Sequence, residues 1–134
     1  MAKRTAIVGA TGAVGTTMLS ILEGRDFPVS ELRLMASSRS AGRVVPTKWG
    51  DVTVEDLATA DPSGIDVALF SAGGSRSKEY APKFAAAGAV VVDNSSAFRQ
   101  EDGVPLVVAQ VNDHAVEHHQ GIIANPNCTT MVVM

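Results

Sequence analysis

The sequence predicts an α/β domain built on a doubly wound, mostly parallel sheet. Short apolar runs alternate with segments of helical spacing along the chain, which is the pattern of βαβ units. The runs are continuously apolar, as strands covered by helices on both faces are. Glycines, hydroxyls and amides gather just after the runs, and ligands in open α/β sheets bind outside the carboxyl ends of the strands.

Thr5-Ala6-Ile7-Val8 opens the series as a short buried strand. Ala13 to Leu22 follows as a helix, with Val14, Met18, Ile21 and Leu22 on one face. Leu32 to Ala36 reads as the second strand. Arg43 to Val54 reads as an irregular or hairpin stretch turning at Gly50-Asp51. Asp66 to Phe70 is the third clear strand and ends at Ser71-Ala72-Gly73-Gly74. Lys78 to Ala87 is a helix stopped by Gly88. Val90-Val91-Val92 is a further strand, and Leu106-Val107-Val108 and Ile122-Ile123-Ala124 are two shorter ones. No internal repeat, low-complexity tract or linker interrupts this order.

The bulk numbers agree with one domain. The chain has 134 residues, 46% of them hydrophobic and 19% charged, a globular rather than a disordered profile. Net charge is −3 with no basic stripe, which argues against nucleic acid and anionic membranes as partners. No apolar run approaches the roughly 18 residues that span a bilayer, and the apolar run after Lys3-Arg4 is too short for a signal-peptide core. The single cysteine, Cys128, has no internal partner for a disulfide, so the expected setting is the reducing cytoplasm.

The first loop is the first candidate site. Gly9, Gly12 and Gly15 recur at every third position between strand and helix. Glycines there suit a tight turn, close approach to a pyrophosphate, and tight helix–strand packing. The helix N-terminus adds unpaired N–H groups and a partial positive charge. A lone glycine fingerprint is weak, but its place between a strand and an amphipathic helix is the context that supports a Rossmann-type dinucleotide site. The end of the second strand selects the cofactor. NAD enzymes place an acidic residue about 20 positions on, to hold the ribose 2′-hydroxyl. Here Ala36-Ser37-Ser38-Arg39-Ser40 carries no carboxylate. Arg39 with Ser37 and Ser40 would suit a 2′-phosphate through a charge-assisted fork and hydroxyl donors, which favours NADP. The bland alternative is that Arg39 is a solvated loop charge.

Two later stretches carry candidate chemistry. Asn125-Pro126-Asn127-Cys128-Thr129-Thr130 follows the last strand, so Cys128 falls at a strand-to-helix turn. A helix N-terminus lowers a thiol pKa, and Asn127 with local N–H groups would hold a developing oxyanion. A lone cysteine is, by itself, more often an inert buried residue. Asp93-Asn94-Ser95-Ser96-Ala97-Phe98-Arg99 offers Arg99, with Asn94 and Ser96, as an oxyanion or phosphate clamp. Composition alone favours a turn capped by Asp, Asn and Ser. His114-Ala115-Val116-Glu117-His118 spells a zinc-peptidase pattern, but the segment is short and polar with no evident third ligand. It reads as a solvated helix end, and no metal is expected.

Together these stretches resemble the aspartate-semialdehyde dehydrogenase family over all 134 residues. Residues 9–15, 36–42, 71–75, 93–99 and 125–130 correspond to family motifs, the last two quite specifically. The sibling N-acetyl-glutamyl-phosphate reductases share fold and cysteine chemistry but usually place Gly where Asn127 stands. The resemblance implies NADPH-dependent conversion of aspartyl 4-phosphate to aspartate 4-semialdehyde and inorganic phosphate, in lysine, methionine, threonine and diaminopimelate biosynthesis. It implies Cys128 as the nucleophile that forms a thioester. It assigns Thr11, Gly12, Ala13 and Val14 to the pyrophosphate region, and Arg39 and Ser40 to the 2′-phosphate. Ser71, Ala72, Gly73 and Gly74 lie along the cofactor, and Arg99 on the substrate phosphate, with Asn94 and Ser96. The resemblance also implies that the full-length protein is a homodimer or homotetramer acting on a small-molecule substrate.

Two departures stand out. Ala109-Gln110-Val111-Asn112 replaces an expected Pro-Glu-Val-Asn. Family members are also well over twice this length, so residues 1–134 are expected to be the NADP-binding domain, cut in the helix after Cys128 and without the C-terminal substrate and dimerisation domain. The base histidine belongs to the remainder. None of His114, His118 or His119 sits where it should, and this chain alone is expected to be inactive. The alternatives are an N-acetyl-glutamyl-phosphate reductase-like enzyme, a non-catalytic NADP-binding module such as a redox-sensing regulator, and an unstable remnant without function.

Overall fold

The computed structural model describes residues 3–25, 28–95, 98, 104 and 121–124. Its elements run β1 (Lys3–Val8), α1 (Ala13–Gly24), β2 (Val29–Ala36), β3 (Val44–Thr47), β4 (Gly50–Thr53), β5 (Glu55–Asp56), β6 (Val67–Phe70), α2 (Gly74–Ala86), β7 (Val90–Asp93) and β8 (Ile122–Ala124). Six strands form one sheet in the order β5-β2-β1-β6-β7-β8, and every pair in it is parallel. The chain winds outward from β1 through β2 to β5, then returns across β1 to β6 and winds the other way. The order reverses between β1 and β6, so a crevice opens at their carboxyl ends.

Successive side chains on a strand point to opposite faces, and β1 separates two cores by that rule. Ala6 and Val8 join one cluster with Met35, Phe70, Ala81, Phe84 and Val91. Ile7 joins the other with Leu19, Leu22, Leu32, Leu34 and Val54. The first cluster lies under α2, where the Phe70 and Phe84 rings meet edge-to-face at 5.1 Å and 90°. The second lies under α1 and the β3–β4 hairpin. Helices on both faces explain why the strands read as continuous apolar runs.

The structure extends several of the elements expected from sequence. β2 begins at Val29 rather than Leu32, because Val29 and Glu31 pair with Lys3 and Arg4 of β1. β5 is a strand of two residues beside Met35 and Ala36, too short to produce any periodicity. The hairpin is antiparallel, with Thr47 opposite Gly50. Its turn is therefore Lys48-Trp49, two residues before Gly50-Asp51. Thr47 closes that turn: its hydroxyl donates to the Gly50 carbonyl, and the Trp49 N–H donates to the hydroxyl. Glu23 at the end of α1 accepts from the Lys48 N–H at 2.8 Å, tying the hairpin to the helix.

Helix α2 starts at Gly74, four residues before Lys78, and runs through Pro82. Pro82 costs the ninth residue of the helix its N–H bond without ending it. Residues 106–108, read as a strand, and the histidines 114, 118 and 119 lie outside the described residues.

Candidate functional site

Gly9 leaves β1 with φ +87°, a left-handed conformation that residues with a Cβ rarely adopt. Its N–H and that of Ala10 both donate to the Met35 carbonyl, at 2.8 and 3.1 Å. A Cβ on Gly9 would land on the Ser71 carbonyl oxygen, and one on Gly15 on the Gly9 carbonyl. These two glycines therefore let the β1–α1 turn touch the end of β6 and let α1 touch the turn. Gly12 differs: its φ is −78°, and a Cβ there would make only an ordinary 3.5 Å contact. No packing demand among the described residues accounts for Gly12, which lines the cleft below.

Gly12 is also the N-cap of α1, with no side chain capping the end and no acidic residue in the first turn. The first bond of the helix runs from the Thr16 N–H to the Gly12 carbonyl at 3.0 Å. The N–H groups of Ala13, Val14 and Gly15 thus lack an intrahelical acceptor, and the positive end of the helix faces outward uncompensated. Val14 is 42% exposed beside it, one of three large apolar side chains so exposed among the described residues.

The cleft at the strand reversal has a volume of about 210 Å³. Gly9, Thr11 and Gly12 line it from the β1–α1 turn, and Ser71 and Ala72 from the end of β6. Ala36, Ser37 and Leu57 close the side toward β2 and β5, and Arg76 of α2 completes it. A second cavity of about 210 Å³ adjoins it, lined by Ser37, Ser38, Asp56, Leu57, Ala58, Arg76 and Tyr80. Ser37, Leu57 and Arg76 belong to both.

The β2 loop is tied to the glycine turn. Thr11 Oγ1 donates to Ser40 Oγ at 3.1 Å, and the Ser40 and Ala41 N–H groups fold back on the Ser37 carbonyl at 3.0 and 3.2 Å. The structure thus brings Gly9, Thr11, Gly12, Ser37, Ser71 and Ala72 together at one cleft, with Ser40 bonded to its wall. Arg39 is exposed on the same loop and lines neither cavity. Gly73 caps α2 with φ +86°, and Gly74 opens that helix, so a second helix N-terminus rises beside Ser71.

Asn94 follows β7, and its N–H donates to the Phe70 carbonyl at 2.9 Å. Beside it lies a buried polar cluster that composition does not reveal. The Asp93 carboxylate accepts from Ser77 Oγ at 2.8 Å, from the Ser95 N–H at 3.1 Å and from Ser95 Oγ at 2.7 Å. Asp93 and Ser77 are both fully buried. The cluster anchors the loop after β7 to α2, and Phe98 is buried further along that loop. Ser96, Arg99, Asn127 and Cys128 lie outside the described residues. Among the described residues, no group of His, Cys, Asp and Glu is arranged to hold a metal, and no helix is long and apolar enough to cross a membrane.

Sequence reasoning missed Arg76, because the helical spacing was read from Lys78. The usable signal was the pair Gly73-Gly74, which frees the chain to turn into a helix at once.

A crevice at the reversal of a parallel sheet, floored by a glycine turn and a bare helix N-terminus, defines a dinucleotide-binding α/β domain. The pattern of the family described as semialdehyde dehydrogenase, NAD binding domain, matches residues 4–119, and the chain belongs to that family. It is 61% identical over 132 residues to the aspartate-semialdehyde dehydrogenase of Streptomyces akiyoshiensis, covering 98% of this chain and 38% of that protein. The fold is similar to aspartate semialdehyde dehydrogenase II of Vibrio cholerae, solved in complex with ASA: TM-score 0.96, 47% identity, 99% of this chain and 44% of that one. It is also similar to the Candida albicans aspartate semialdehyde dehydrogenase solved with NADP, at TM-score 0.74 and 28% identity, with 96% of this chain and 44% of that one covered. The chain spans less than half the length of each of these proteins.

Proposed function

We propose that this chain is the cofactor-binding and nucleophile-bearing part of an NADP-dependent aspartate-semialdehyde dehydrogenase. The observation that carries the reading is the cleft between β1 and β6, floored by Gly9 and Gly12 and open to the N-terminus of α1. The similarity to dehydrogenases of that name supports the substrate. The residues present fit a dinucleotide: Gly12 has no side chain to block an approaching pyrophosphate, and the first turn of α1 carries no carboxylate.

In this reading the Ala13, Val14 and Gly15 N–H groups hold the pyrophosphate, with Thr11 and Gly12 shaping the approach. Ser37, Arg39 and Ser40 serve the 2′-phosphate, and Ser71 to Gly74 lie along the cofactor. Arg99, with Asn94 and Ser96, orients the substrate phosphate. The Cys128 thiolate attacks the acyl carbon of aspartyl 4-phosphate, the carbon–oxygen bond to phosphate breaks, and a thioester remains. Asn127 and nearby N–H groups stabilise the oxyanion formed on the way. When bound in the cleft, NADPH would supply the hydride equivalent that takes the Cys128 thioester to the aldehyde and frees the thiolate. The base histidine and the substrate carboxylate and amine contacts come from the remainder of the protein, so residues 1–134 alone are inactive.

The test is phosphate-dependent reduction of NADP by the full-length protein with aspartate 4-semialdehyde, beside the 134-residue chain. Turnover by the full-length protein, lost in Cys128→Ala, supports the proposal. Dinucleotide binding without turnover would replace it with a non-catalytic module. Clear turnover by the 134-residue chain would refute the placement of the base outside it.

A further inference from the structure

We propose that Arg76 reads the ribose 2′-phosphate of the cofactor from the α2 side and is a specificity-determining residue of this site. The inference rests on the NADP reading above and adds to it a residue that the β2 loop does not contain.

Three observations converge on Arg76. It lines both the cleft at the strand reversal and the adjoining cavity, so it belongs to the wall the two share. It is exposed and makes no ion pair or hydrogen bond among the described residues, in contrast to Arg33, whose guanidinium is held by Glu55 and the Asp61 carbonyl. A cation with five N–H donors and no acceptor among the described residues is available to a ligand oxyanion. Finally, the cavity it enters is lined by the hydroxyl-bearing Ser37 and Ser38, at the carboxyl end of β2, where the ribose 2′ substituent is recognised in dinucleotide folds.

Charge makes the same demand. Asp56 is the one carboxylate among the described residues that line the second cavity, and it would repel a 2′-phosphate unless a cation faced it. Arg39 lines neither cavity; Arg76 lines both. The Tyr80 phenol registers these charges. It is held above the usual tyrosine range chiefly by its hydrogen bond with Glu79, with burial, the Glu79 charge and Asp56 acting the same way and Arg76 opposing them. Arg76 and Asp56 therefore act on the same space with opposite sign, and a dianion placed there is drawn to Arg76.

The experiment measures dissociation constants of NADPH and NADH for the full-length protein and its Arg76→Ala and Arg76→Lys variants, at fixed ionic strength. Loss of a charge-assisted fork predicts about 10- to 100-fold weaker NADPH binding in Arg76→Ala, with NADH changed by less than about 3-fold. Arg76→Lys, which keeps charge without the planar fork, falls between. Equal losses for both cofactors would overturn the inference, because the contact would then be to adenine or pyrophosphate. No loss for either would overturn it as well. A wild-type protein that binds NADH as tightly as NADPH would show that the NADP reading itself has failed, a result separable from the other two.

Discussion

Replacing Ser77 by alanine removes one of three donors from a carboxylate that water cannot reach. Asp93 and Ser77 are each 0% exposed. Without the 2.8 Å bond from Ser77 Oγ, Asp93 Oδ1 keeps only the longer 3.1 Å bond from the Ser95 N–H. A hydrogen bond to a charged group contributes about 1.5–3 kcal/mol, and a buried acceptor left short of partners costs a similar amount. We therefore expect Ser77→Ala to destabilise the chain by about 2 kcal/mol. Asp93→Asn keeps the shape but turns an NH2 group toward one of three donors, and the expected loss is about 2 kcal/mol or more. The double variant should lose less than the sum, with a coupling of about 1 kcal/mol. The assay is urea unfolding of the chain followed by fluorescence of Trp49, its single tryptophan. With a slope of about 2 kcal/mol per molar urea, the Ser77→Ala midpoint should fall by about 1 M. A Ser77→Ala midpoint within about 0.2 M of wild type, or strictly additive losses, would refute the view that the cluster acts as one charged unit.

Other outcomes follow from the same structure. Gly9→Ala forces a left-handed φ on a residue with a Cβ and drives that Cβ into Ser71; we expect about 3 kcal/mol of destabilisation and loss of NADPH binding, measured by calorimetry. Gly12→Ala meets no such overlap in the free chain and should cost only about 1 kcal/mol, the loss of a favourable N-cap residue, while weakening NADPH binding. Glu55→Gln breaks the fork from Arg33, at 2.9 and 2.7 Å; because both side chains are partly exposed, the loss in urea unfolding should be only about 0.5–1 kcal/mol, and smaller in high salt. The Asp61 carboxyl is held below its usual range chiefly by the Ser63 backbone N–H. A depressed folded pKa adds stability above the unfolded value of 3.8 that is lost as pH falls through the folded value. NMR titration should place Asp61 below 3.8, and a value at or above that would contradict the assignment.

The legible parts of the sequence were those in which a single stretch carries its own physical cause. Thr5 to Val8 is buried whichever strands flank it, so its apolar run suffices. The spacing of Gly9, Gly12 and Gly15 announces a turn into a helix, and at Gly9 and Gly15 only glycine tolerates the close approaches. The hairpin was legible as a class but not in register: Gly50-Asp51 looked like the turn from composition, while the side chains of Thr47 and Glu23 placed it at Lys48-Trp49. The start of α2 was misjudged because Gly74 and Ser75 are poor helix formers, and the stretch is helical through the backbone geometry of Gly73 and burial of Ser77 and Ala81 against the sheet.

By itself the sequence determined the alternation of strand and helix, the parallel sheet, the glycine turn and the absence of an acidic residue on the β2 loop. Each is a local matter of periodicity, backbone freedom or side-chain charge. Only the tertiary structure decided which residues share the cleft. Ser71 reaches Gly9 because β6 returns to pair with β1, and Ser77 meets Asp93 from sixteen residues away because α2 packs over β7. Arg76 comes to Ser37 through the same crossover. Such meetings depend on strand order, which the burial of both sheet faces imposes on the whole chain and no single segment encodes.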